Sequence, residues 1–309
     1  MKQGKIRFLL SILLLALAGC SGGPAGQPEP PARLRVVATT SIVADIVRQV
    51  GGDAIELATL LPVGTDPHSF QPAPRDAALL SQADIIFING AGLEEFLAPL
   101  LENAGSNARV VSLSEDVPLR SFSLAGESVD EHESGQDPHV WTDPTNVVLW
   151  VKAVEKNLSD LDPTNSQGYQ SQAESFIRQL NELDTWIQTE VEQVPPEKRK
   201  LVTDHISLGY FAGRYGFEQI GAVIPAASTM AQPSAQELAL LEDAVKSYAV
   251  TAIFIDQAVN PALAQRIAED TGVRLATFYS GSLSAADGPA STYLEYMRYN
   301  VRVIVDNLK

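Results

Sequence analysis

Residues 163–193 carry an amphipathic helical pattern in which Gly168 is the single glycine, and Pro195-Pro196 ends it. A helix of about 30 residues is roughly 45 Å long. That is too long for an ordinary crossover within one sheet, so the segment reads as a spacer between two lobes. On both sides of it, short β-branched runs alternate with longer helical patterns. Before the spacer, strands are expected at 34–38, 55–61, 84–88 and 110–113, and helices at 42–50, 75–82, 93–103 and 146–158. After it, strands are expected at 200–203, 218–223, 252–255 and 274–278, and helices at 207–215, 234–248, 261–271 and 290–308. This alternation predicts an α/β fold in which two lobes, each a parallel sheet covered by helices, face each other across a cleft. The expected divisions are an N-terminal lobe at 34–162, the linking helix at 163–193 and a C-terminal lobe at 194–309. A length of 309 residues agrees with about two domains.

The first 33 residues follow a different logic. Lys2, Lys5 and Arg7 precede an apolar run, 8–18, that only Ser11 interrupts. This is a signal peptide, 1–19, because the run is shorter than the roughly 20 residues a bilayer span needs. It ends in Leu17-Ala18-Gly19-Cys20, small residues directly before the chain's one cysteine. That ending resembles a bacterial lipobox, in which the chain is cut before the cysteine and the thiol is acylated; a plain secretory signal with an incidental thiol is the alternative. Residues 20–33, rich in proline and glycine, then read as a lipidated flexible tether. The expected location is the cell envelope, at the outer face of the cytoplasmic membrane or in the periplasm. With one cysteine the body has no disulfide framework, and at this length it needs none. The net charge of −16 argues against nucleic acid as a partner, which would need a basic face. It also leaves membrane attachment to the lipid.

Chemistry concentrates in the histidines. There are four, and His68, His139 and His205 lie where a strand gives way to a loop or in a proline-rich connection. In open α/β sheets ligands bind at the carboxyl ends of strands, so these three positions can converge on a cleft. Separations of 71 and 66 residues exclude a local chelate on one helix. Neutral imidazole is the commonest metal ligand, although capping or surface histidines would show the same spacing. His132 sits in the acidic loop 127–136 and reads as a solvated side chain, while Trp141, Tyr210 and Phe211 read as packing.

The strings TTSIVADIV, LPVGTDPHSFQPAPRD, ADIIFINGAGLE, DPHVWTDPTN, LVTDHISLGYFAGRYGF and GPASTYLEYMRYNV resemble the zinc and manganese substrate-binding lipoproteins of ABC importers. The likeness runs from about Val36 to Lys309. It implies metal ligands at His68, His139 and His205, delivery of Zn2+ or Mn2+ to an importer permease, and a rigid helix between the lobes. One position departs from the pattern: many members place an aspartate ligand in the last loop, where this chain reads Ser280-Gly281-Ser282. Asp256, Asp287 or a water then stands as the fourth ligand, with Asp256 read first as a helix cap or loop acid. Three imidazoles favour zinc over manganese, which recruits carboxylate oxygen. The expected protein is a monomeric metal carrier and not an enzyme. Two other classes share its features: a zinc-dependent hydrolase, which would need a general base and a substrate pocket, and a surface adhesin on the same lipid anchor. Glu-paired zinc motifs of the His-Glu-x-x-His type, nucleophile elbows and phosphate loops do not occur in residues 34–309.

Overall fold

A computed structural model describes residues 33–122 and 135–309. Cys20, the signal peptide, nearly all of the tether, His132 and most of the acidic loop lie outside the described residues.

The first lobe runs β1 (Leu34–Ala38), α1 (Ser41–Gly51), β2 (Ile55–Thr59), α2 (Pro74–Ser81), β3 (Ile85–Ile88), α3 (Leu97–Ala104) and β4 (Arg109–Ser112). Two helices follow, α4 (Pro144–Leu161) and α5 (Ser166–Val191). The second lobe runs β5 (Lys200–His205), α6 (Gly209–Tyr215), β6 (Glu218–Ile224), α7 (Ala235–Ser247), β7 (Ala252–Asp256), α8 (Ala262–Thr271), β8 (Arg274–Phe278) and α9 (Tyr293–Leu308). Each lobe contains a four-stranded parallel sheet, in the orders β2-β1-β3-β4 and β6-β5-β7-β8. The two orders are the same when strands are counted within each lobe. A topological repeat is therefore present where no sequence repeat is visible. In both sheets the direction of winding reverses beside the first strand, and the crevice there is where such sheets bind ligands.

The long helix is shorter than its sequence pattern by a few residues at each end. A 3-10 turn at Pro163–Asn165 precedes 26 residues of α-helix, about 39 Å at 1.5 Å per residue. Tyr169, Ala173, Phe176, Leu180, Leu183, Ile187 and Val191 fall three or four apart and form its buried stripe. That stripe packs on α1, α4 and α9, so α5 joins the two lobes as a wall that both share. One apolar cluster runs unbroken from Val36 and Ile46 through Trp150, Phe176 and Leu180 to Phe254 and Tyr296. The buried Asp45 on α1 adds a polar tie by accepting the Tyr293 amide at the start of α9, at 2.9 Å.

Two boundaries moved for reasons that bear on function. The helix expected from residue 93 begins at Leu97, because Glu94 turns inward to accept from the Asn89 and Gly90 amides and from Thr39 Oγ1 at 2.6–3.0 Å. Those bonds tie the carboxyl ends of β1 and β3 together. Strand β5 extends to His205, so that histidine stands on the sheet itself.

Candidate metal centre

His205 is the last residue of β5 and Asp256 the last of β7, which places them on the two strands that flank the switch point of the second sheet. His139 opens a 3-10 turn, Val140–Thr142, whose downstream neighbour Asp143 caps α4 by accepting the Thr145 amide at 2.8 Å. His68 lies in the loop between β2 and α2. Three segments far apart in sequence thus deliver three imidazoles to one point. His139 Nε2 is 3.2 Å from both His68 Nε2 and His205 Nε2, and the three ligand atoms lie within 4.8 Å of one another. Among the described residues this is the one cluster of its kind.

The tautomers follow from what backs each ring. His139 Nδ1 is 2.8 Å from Asp137 Oδ1, and His205 Nδ1 is 3.0 Å from Asp204 Oδ1. A nitrogen facing a carboxylate carries the proton, which leaves Nε2 with its lone pair pointing into the cluster. Each acid also accepts the backbone N–H of its own histidine, at 3.0 and 2.9 Å. His139 and His205 are only 1 % and 2 % exposed. Buried lone pairs facing one another repel unless a proton or a cation sits between them. Ligand nitrogens in a tetrahedral zinc site with bonds of 2.0–2.1 Å are about 3.3 Å apart, close to the two contacts found here.

Burial pushes His68 down to about 2, helped by the neighbouring His139 and His205. Burial also lowers His139, against the opposing pull of Asp137. For His205 burial is again the largest influence and acts downward, yet Asp204, Asp256 and Asp66 together outweigh it and the net shift is upward. Two rings are therefore held neutral, and the third is the place where a proton competes with a metal.

The carboxylates weighed as a fourth ligand are otherwise engaged or exposed. Asp256 Oδ2 accepts from Ser280 N and Oγ, both at 2.5 Å, and from Gly281 N at 3.1 Å, while Oδ1 accepts from Ala258 N at 2.6 Å. Asp256 thus folds the last loop, and Asp287 is exposed. At position 281 a Cβ would lie 2.6 Å from Pro67 Cδ, so a side chain there would displace the residue beside His68. What remains near His68 and His205 is a small cavity of about 10 Å³, bordered by Asp66, Thr229, Asp256 and Ser280. It is the size of a single water. Trp141 is 5.3 Å from His139, ring centre to ring centre, and donates to the Ser280 carbonyl at 3.0 Å. The Tyr210 hydroxyl donates to the Asp137 carbonyl at 3.1 Å. Both side chains are packing residues that hold the site.

Sequence reasoning passed over Asp66, Asp137 and Asp204 as supports. The signal was present: Asp-Pro-His occurs at 66–68 and 137–139, and Asp-His at 204–205.

The model of the family described as ZnuA, zinc-uptake complex component A, periplasmic, matches residues 36–307. The manganese-binding lipoprotein MntA of Halalkalibacterium halodurans is 30 % identical over 309 residues, covering 100 % of this chain and 99 % of that protein. The manganese ABC transporter substrate-binding lipoprotein PsaA of Streptococcus mitis is 29 % identical over 316 residues, covering 100 % and 99 %. The solved structure of the periplasmic zinc-binding protein TroA of Treponema pallidum is similar with a TM-score of 0.80 at 26 % identity. That likeness covers 90 % of this chain and 99 % of TroA.

Proposed function

The chain belongs to the ZnuA family of periplasmic zinc-uptake components, and on that premise we propose that it carries one Zn2+ on His68, His139 and His205. It is the metal-binding, substrate-binding component of an ABC importer and not an enzyme, and it works outside the cytoplasm with a permease and an ATPase. The zinc is cargo: it is captured, carried and released unchanged.

The observation that supports zinc is the donor set. Three imidazoles converge, and Asp256, which borders the adjoining cavity, has both oxygens occupied by loop donors. Imidazole suits zinc, whereas manganese favours carboxylate and water oxygen. The names of MntA and PsaA point to manganese in those relatives, and this chain reads Ser280-Gly281-Ser282 in the last loop, where the family resemblance implies an aspartate in many members. The test is competition. Metal-free protein equilibrated with equal zinc and manganese, then desalted and analysed by mass spectrometry, is expected to hold one zinc per chain and less than about a tenth as much manganese. Manganese equal to or above zinc would overturn the choice of metal.

A further inference from the structure

His68 is the least supported arm of the cluster. His139 and His205 are each fixed by an acid at both Nδ1 and the backbone N–H. For His68 the neighbouring acid, Asp66, reaches only the backbone N–H, at 2.9 Å. Among the described residues no hydrogen-bond partner faces its Nδ1, and the ring is only partly buried. Residues 60–73, which carry it, contain neither helix nor strand. This loop belongs to the first lobe, yet three contacts tie it to the second. Thr229 Oγ1 donates to Asp66 Oδ2 at 2.6 Å, Gly64 N donates to Ser282 Oγ at 2.7 Å, and Pro67 packs on Gly281.

Asp66 joins the ligand to the opposite lobe, with one oxygen on the His68 amide and the other on the Thr229 hydroxyl. The lobes themselves share an unbroken core through α5, so parting them as rigid bodies would expose that core. Lifting the 60–73 loop is the smaller motion. It breaks a few polar contacts, and it frees the one imidazole that no carboxylate clamps at the ring.

We propose that Thr229 is a positioning residue that, through Asp66, holds His68 closed over the bound ion and sets the rate at which the site lets it go. This rests on the reading of His68 as a ligand. An ion held by three imidazoles leaves by shedding the least restrained one first, and that step requires the Asp66–Thr229 bond to open. Substitution Thr229→Val keeps the shape of the side chain and removes the donor. Thr229→Ser keeps the donor and removes a methyl group.

Zinc-loaded full-length protein is mixed with an excess of a chromogenic chelator, and the rate of zinc transfer is recorded. Thr229→Val is expected to release zinc about tenfold faster than the parent protein, still at one zinc per chain, and Thr229→Ser to stay within about twofold of it. A release rate for Thr229→Val within twofold of the parent overturns the latch, as does equal acceleration in the serine variant. His68→Ala separates the two readings. If it accelerates release while Thr229→Val does not, the latch alone falls. If His68→Ala itself releases at the parent rate, His68 is not a ligand and both readings fall.

Discussion

Replacing His139 by alanine is expected to weaken zinc binding at least about a thousandfold. Changes to residues that merely orient metal ligands cost 10–100-fold, and His139 is the central ring, 3.2 Å from each of the other two. Its loss also leaves the buried Asp137 carboxylate without the imidazole that it supports. The effect is visible without a direct affinity measurement. At free zinc a hundred times the parent dissociation constant, binding to the folded state alone stabilises the parent by about 2.7 kcal/mol. For a chain of this size that corresponds to a rise in melting temperature of roughly 4–5 °C. The His139→Ala protein should show no rise under the same conditions, while melting cooperatively without metal. A variant that keeps both the stoichiometry and the full shift would remove His139 from the ligand set.

Zinc affinity is expected to fall by about one power of ten per pH unit on the acid side, and not by three. Three histidines at the unperturbed value near 6.5 would lose three protons to the metal. In this site burial first, then the facing imidazoles, holds His68 far below that value, and burial holds His139 below it. Both rings are ready to bind across the neutral range. His205 alone is raised, because its acids overcome the burial penalty. When His205 takes up a second proton, Nε2 is the nitrogen that receives it, 3.2 Å from His139 Nε2. Above the raised His205 value affinity is flat, and below it the proton and the metal compete for the same nitrogen, so affinity declines from a point above pH 6.5. Chelator competition between pH 5.5 and 8.5 measures the slope. A slope near three would mean that all three rings titrate together, and a flat profile would argue against imidazole ligation.

The two sheets were legible because each strand is a short β-branched run ended by a turn or cap signal: 34–38, 252–255 and 274–278 are reproduced almost residue for residue. The three histidines were legible because they follow strands or sit in Pro-stiffened loops. What sequence could not supply is the partnership of elements. The period of 163–193 announces a helix but not that its stripe faces α1, α4 and α9 together. Likewise Asp256 reads as a loop acid with a ligand as the alternative until its oxygens are found on Ser280, Gly281 and Ala258, two of them more than 20 positions away. The stretch Ser280-Gly281-Ser282 reads as the loss of a ligand, and only the packing of Pro67 against Gly281 shows a steric need for glycine there. Long-range contacts of this kind leave no local period or cap for a sequence to display.

The coordination shell of the bound ion is the most direct test of this account. X-ray absorption at the zinc edge, recorded on the singly loaded protein at neutral pH, is predicted to show three imidazole nitrogens at 2.0–2.1 Å and one oxygen in a four-coordinate shell. Two or fewer imidazoles, or a six-coordinate shell dominated by oxygen, would contradict it.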